Sequence, residues 1–134
     1  MRVLVTGGAG YVGGFAARDL QRTGHEVVIL DDLSEGHRGA VASASTSAST
    51  GGELVVGRIQ DGDRVRDLLQ RERIEAVMHF AGSCYVGDSV RAPRDYYRNN
   101  VVGSLALLEA MVDCGVTRLV FSSSCAVMRC FSCR

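Results

Sequence analysis

Short apolar runs recur along the chain, and most are followed by a stretch with helical periodicity. Val3-Leu4-Val5, Val27-Val28-Ile29-Leu30, Leu54-Val55-Val56 and Ala76-Val77-Met78-His79-Phe80-Ala81 read as strands, with a fifth over 116–121. Between the first two, Val12, Phe15, Ala16 and Leu20 share one face of a helix over 12–23, which Gly24 closes. Val65, Leu68 and Leu69 mark a shorter helix whose other face is charged. After Pro93 the longest helix spans 96–114, with Val101, Leu105, Leu108 and Val112 as its buried stripe and Gly115 at its end. Only 33–52 breaks the rhythm. It carries the low-complexity run 43–50, expected to be a mobile surface excursion. Strands alternating with helices predict an α/β fold with a doubly wound parallel sheet of about five strands, in the order 3-2-1-4-5.

The junction between the first strand and the first helix carries the chemistry. Gly8, Gly10 and Gly13 fit G-x-G-x-x-G, and Gly7, Gly10 and Gly13 fit the related G-x-x-G-x-x-G. One glycine lets the chain turn sharply, a second lets a pyrophosphate approach the backbone, and a third lets the helix pack closely. Free N–H groups at the helix start, aided by its dipole, then face the phosphates. The second strand ends in Asp31, roughly 20 residues on, where a carboxylate holds the adenosine ribose. Strand, glycines, helix and acid together predict a Rossmann-like dinucleotide site at the carboxyl ends of the strands. His79, within a central strand, reads as a satisfied core histidine, since no serine or carboxylate stands at triad-like spacing.

Composition narrows the rest. Fifteen basic residues balance fifteen acidic ones, which leaves no basic footprint for nucleic acid or an anionic membrane. No apolar run reaches membrane-spanning length, and the N-terminus reads as a strand rather than a signal peptide, so a cytoplasmic protein is expected. Cys84 and Cys114 read as small buried thiols. Cys130 and Cys133 form a C-x-x-C without a partner pair, so no metal site is expected.

Longer motifs carry a resemblance. VTGGAGYVGG, DDLSEGHR after the second strand, HFAG, VGDSV, Pro93, YYRNNVVGS and FSSSCAV occur in the order and spacing of the UDP-glucose 4-epimerases. The chain resembles the N-terminal part of that family, within the extended short-chain dehydrogenase/reductases, from Met1 to Val127. The resemblance implies NAD as cofactor and a UDP-glucose or UDP-galactose substrate. It places Gly7, Gly10, Tyr11, Val12 and Gly13 around the pyrophosphate, Asp31 at the adenosine ribose and Ile59 beside the adenine. Phe80, Ala81 and Gly82 would line the cleft, Asn99 and Ser122 would lie near the nicotinamide half, and Ser124 would be the catalytic serine. In that family a tyrosinate, its pKa lowered by a lysine in Y-x-x-x-K, removes the 4-hydroxyl proton while NAD takes the C4 hydride. A family-like homodimer is possible but not expected of so short a chain.

There are departures. No Y-x-x-x-K follows the serine strand, and all fifteen basic residues are arginines. Arg58 stands where the family has an aspartate facing adenine, and Cys84 where a lysine is common. The domain is expected to be a partial one over 1–127, and the tail 128–134 leaves the family pattern, as a frameshift would. The chain itself is therefore expected to be inactive. Alternatives are a non-enzymatic NAD-sensing module, or another nucleotide-sugar epimerase or dehydratase.

NAD should bind more tightly than NADP, because Asp31 would repel a 2′-phosphate and no arginine directly follows it. Calorimetric titration with both dinucleotides checks this, and equal or tighter NADP binding would refute it. Asp31→Ala should weaken NAD by roughly 1–3 kcal/mol.

Overall fold

The computed structural model describes residues 1–42 and 53–123. The low-complexity run, Ser124, Cys130, Cys133 and the tail lie outside them. Five strands, β1 (Arg2–Thr6), β2 (Glu26–Asp31), β3 (Glu53–Val56), β4 (Ala76–His79) and β5 (Arg118–Phe121), form one sheet in the order β3-β2-β1-β4-β5. Every neighbouring pair is parallel. The expected sheet and its order are therefore found.

Each central strand feeds two cores. Leu4, Val28, Leu30 and Val77 point to one face, where they meet Val65, Leu68 and Leu69 of α3 (Gly62–Arg71) and Leu107, Ala110 and Met111 of α6 (Gly103–Asp113). Val3, Val5, Val27 and Ile29 point to the other, against Ala17 and Leu20 of α1 (Tyr11–Arg22) and Val41 of α2 (Arg38–Ala42). A strand covered on both faces must be apolar at successive positions, which is why these runs do not alternate. Asp61 starts α3 by accepting the Arg64 N–H at 3.2 Å. Gly24 and Gly115 end α1 and α6 with φ of 84° and 69°, as expected of left-handed terminators.

Several local expectations are overturned. The stripe Val101, Leu105, Leu108 and Val112 is exposed, Val112 to 79%, while Leu107 is 1% exposed. The face that packs holds Gly103 and Ala110, small enough to let the helix approach: a Cβ on Gly103 would lie 2.8 Å from Ile59 Cδ1. The first helix repeats the theme. Val12 and Phe15 are exposed, and Gly13 and Ala17 are the buried positions. In α6 the small residues let Leu107 and Met111 between them reach the core, and in α1 the small residues alone are fully buried.

Other differences concern the connections. The helix expected over 96–114 starts as α5 (Pro93–Tyr97), passes through one π-helical turn at Arg98–Val102 and continues as α6. A further helix, α4 (Val86–Arg91), lies in the stretch read only as a motif. The loop after β2 contains α2, and β4 ends at His79, so that Phe80 and Ala81 leave the sheet. Cys84 is exposed rather than buried, whereas Cys114 is partly buried.

Leu107→Ala should cost about 2–5 kcal/mol, the range for a large core residue cut to alanine. Leu105→Ala, two residues away and on the exposed side of the same helix, should stay within about 0.5 kcal/mol. Urea melts of the two variants check this; equal losses would mean that the exposed stripe is the packed one.

Candidate functional site

A cleft of about 730 Å³ runs along the carboxyl ends of the strands. It brings together Gly7, Gly10, Tyr11, Val12, Gly13, Asp31, Ile59, Phe80, Ala81, Gly82, Asn99 and Ser122, and Ser123 beside them. Ser124 lies just beyond the described residues.

The β1–α1 turn forms one wall. Gly7 has φ of 72°, and a Cβ there would lie 2.6 Å from the Ala81 nitrogen, so the position admits only glycine. The Gly7 N–H donates to the Leu30 carbonyl at 2.9 Å, and its own carbonyl accepts the Gly10 N–H at 3.1 Å. Gly13 completes the turn, since a Cβ on it would run into the Gly7 carbonyl. Gly10 caps α1 without any side-chain bond, so no protein acceptor of that kind competes for the first-turn N–H groups. A Cβ on Gly10 would meet only the Gly7 carbonyl oxygen, at 3.3 Å. The arrangement is an anion cradle built from backbone.

Asp31 is nearly buried, and its position is fixed by two backbone donors. The Ala9 N–H reaches Oδ2 at 3.0 Å and the Leu33 N–H reaches Oδ1 at 2.8 Å. Each oxygen keeps a lone pair for a ligand hydroxyl. Ile59 is only 4% exposed; it belongs mainly to the core beneath Gly103 and shows an edge to the cleft. On the opposite rim Tyr85 and Tyr96 meet, the Tyr96 hydroxyl donating to the Tyr85 carbonyl at 2.6 Å. The nearby Glu35 carboxylate pushes the exposed Tyr85 phenol above its usual range.

The far end is organised by the π turn. A π turn fits one more residue into the turn, so neighbours are rotated less from one another, and here both Asn99 and Asn100 line the cleft. Asn99 donates to Ser83 Oγ at 2.8 Å and accepts from Gln60 Nε2 at 2.8 Å. Asn100 makes a pair of hydrogen bonds with the Ser83 backbone, accepting its N–H at 2.8 Å and donating to its carbonyl at 2.9 Å. Beneath them Ser104 donates to the Asn100 carbonyl at 2.6 Å. Its oxygen is left to accept from His79 Nε2 at 3.0 Å, and His79 Nδ1 accepts from the Thr6 hydroxyl at 2.6 Å. His79 is 2% exposed and fully partnered, the core histidine expected, and burial pushes its pKa below the ordinary 6.5. Gln60, Ser83, Asn100 and Ser104 were not anticipated from sequence. Only the spacing of Ser104 four residues after Asn100 hinted at a bond, while the π step has no periodic signature.

Comparison with known proteins matches this geometry. Residues 3–129 match the NAD dependent epimerase/dehydratase family. The chain is 47% identical over 126 residues to a UDP-glucose 4-epimerase of Lactobacillus helveticus, covering 94% of this chain and 36% of that protein. It is 43% identical over 127 residues to a UDP-glucose 4-epimerase of Klebsiella pneumoniae, covering 95% of this chain and 91% of that one. Among solved structures, the UDP-glucose 4-epimerase of Stenotrophomonas maltophila, with bound NAD and formylated UDP-arabinopyranose, superposes with a TM-score of 0.90 at 46% identity. That likeness covers 95% of this chain and 38% of the other. The Brucella ovis enzyme in complex with NAD gives 0.84 at 42% identity, covering 93% and 36%. The chain thus spans a little over a third of the Lactobacillus, Stenotrophomonas and Brucella proteins.

The depressed pKa of His79 sets a pH dependence. The folded chain holds the imidazole neutral, while the unfolded chain takes up a proton as pH falls past 6.5. Its contribution to stability is therefore complete above that value and is lost below it, by at most about 1.4 kcal/mol per pH unit. Urea midpoints between pH 7.5 and 5.5 should fall, and His79→Asn should remove this part of the slope. An unchanged slope in the variant would refute it.

Proposed function

The chain belongs to the NAD dependent epimerase/dehydratase family, and we propose that it forms the NAD-binding part of a UDP-glucose 4-epimerase. The observation that carries this reading is the turn that Gly7 and Gly13 allow by close backbone packing, with the open side of Gly10 and the fixed Asp31 carboxylate at the same cleft. Both features fit a dinucleotide. Its pyrophosphate would approach the open side of Gly10 and take the N–H groups of Tyr11, Val12 and Gly13, and its adenosine ribose the free lone pairs of Asp31. When bound, the dinucleotide supplies a hydride acceptor that can return the hydride.

The chain's own residues bind, orient and exclude water. Phe80, Ala81 and Gly82 wall the middle of the cleft. Asn99, held between Gln60 and Ser83, and Ser122, whose N–H donates to the His79 carbonyl at 3.0 Å, flank the reacting end. Ser124 is assigned as the serine that hydrogen-bonds at the reacting oxygen of a UDP-glucose or UDP-galactose. A carboxyl-end cleft that fixes both partners supplies orientation, the larger share of such catalysis. Proton removal from the sugar 4-hydroxyl needs a base whose pKa is lowered by a neighbouring cation, and these 134 residues hold no lysine.

Calorimetry with NAD tests the reading directly, and absence of binding would overturn it. In Gly10→Ala the methyl would meet only the Gly7 carbonyl oxygen, a tight contact at 3.3 Å that a shift of a few tenths of an ångström relieves, and φ of −84° suits alanine, so its melt should stay near that of the parent. NAD should nevertheless weaken by roughly tenfold, because the methyl holds a pyrophosphate away from the first-turn N–H groups. These 134 residues alone should give no UDP-galactose turnover above background.

A further inference from the structure

We propose that the Ser83 hydroxyl is a further ligand-binding group of this cleft, held so that its proton is donated to an acceptor oxygen on the half of the dinucleotide beyond the pyrophosphate. This rests on the dinucleotide reading above and deepens it by one contact. The sheet order places that half. An adenosine ribose on Asp31 lies over β2, and a pyrophosphate at the β1–α1 turn lies over β1. The remaining half therefore extends over β4, the neighbour of β1 on its other side. Ser83 belongs to the segment leaving β4, and it lines the cleft with Asn99 and Asn100.

The direction of that hydroxyl follows from backbone groups, which cannot turn over as side-chain amides can. The Ser83 N–H donates to one end of the Asn100 amide at 2.8 Å, and the Ser83 carbonyl accepts from the other end at 2.9 Å. These two bonds fix Asn100 with Oδ1 toward the Ser83 nitrogen. The Asn99 amide atom 3.4 Å from that oxygen must then be the nitrogen, since two oxygens there would repel. The same nitrogen lies 2.8 Å from Ser83 Oγ, so Oγ accepts. Asn99 Oδ1 faces the other way and accepts from Gln60 Nε2 at 2.8 Å. Both protons of the Asn99 amide are thereby engaged inside the protein, and Asn99 offers a ligand no donor. Ser83 does. Its oxygen takes the Asn99 bond, and its proton meets no acceptor among the described residues.

A hydroxyl carries one proton and two lone pairs, and here a lone pair is taken while the proton is not. Ser83 is half-buried and its backbone is tied at both polar groups, so little freedom is lost when a ligand acceptor arrives. The second half of the dinucleotide carries acceptor oxygens of two kinds, ribose hydroxyls and the carboxamide carbonyl. Either satisfies an O–H donor. ADP ends at the pyrophosphate and brings neither.

The test is calorimetric titration of the full chain with NAD, ADP-ribose and ADP. Ser83→Ala should weaken NAD by about fivefold, as for one neutral hydrogen bond, and leave ADP unchanged. A matching loss with ADP-ribose places the acceptor on the second ribose; a loss confined to NAD places it on the carboxamide. Asn99→Asp supplies a second arm. A carboxylate only accepts, so it draws the Ser83 proton back from the cleft, and in that background Ser83→Ala should cost nothing further. Unchanged NAD affinity in Ser83→Ala, an equal loss with ADP, or the same loss in both backgrounds would overturn the proposal while leaving the dinucleotide site intact. If neither NAD nor ADP binds the parent, the cleft reading falls and this inference falls with it.

Discussion

Everything at the carboxyl edge of the sheet hangs on the peptide of Gly7. Its N–H reaches the end of β2 at Leu30, its carbonyl holds Gly10 at the start of α1, and its Cα lies against the backbone of Phe80 and Ala81 beyond β4. Three strand ends and a helix start are therefore registered at one residue with φ of 72°. A side chain there would be strained in its dihedral and would also collide with backbone, which cannot give way as a flexible side chain can. The cradle and the fold share this constraint, so the cradle cannot be lost without disturbing the sheet beneath it.

A second set of interactions holds the opposite end. Thr6, His79, Ser104 and the Asn100 carbonyl form one directional line of hydrogen bonds from the core to the cleft. Each member donates or accepts in only one consistent order, which keeps the imidazole neutral with its proton on Nε2. A buried polar chain that is fully satisfied does not weaken a core. It fixes geometry, because any displaced member would leave a donor or acceptor unpaired in a low dielectric. The glycine wall is thus set by sterics, and the asparagine wall by polar satisfaction.

These two regions were not equally legible in the sequence. The apolar runs, the glycine spacing and Asp31 pointed to the sheet order and to a glycine turn and a carboxylate at one cleft, because each is a local signal with a fixed geometric meaning. His79 was read as a core residue, and its two partners bear that out. Helix faces were read less well. Where a helix carries apolar residues all round, as in α6, periodicity offers two candidate faces, and bulk favours the wrong one. What decides is the placement of glycine and alanine, which sets how near the helix can come to the sheet. Cys84 was misplaced because a residue beside an apolar strand need not belong to it once the strand ends early, at His79.

The π turn between α5 and α6 has a consequence for how this helix is inherited. Relative to a regular α-helix, a π turn accommodates one additional residue, and an α-helix advances about 100° per residue. The turn therefore works as a phase shifter: the segment behind it is rotated against the segment before it. Deleting a single residue from 98–102 would move two things together. One of the paired asparagines would leave the cleft, and Leu108 and Val112 would swing toward the sheet in place of Leu107 and Met111. Length in this segment is thus coupled to both site and core, and substitutions are open to it where insertions and deletions are not.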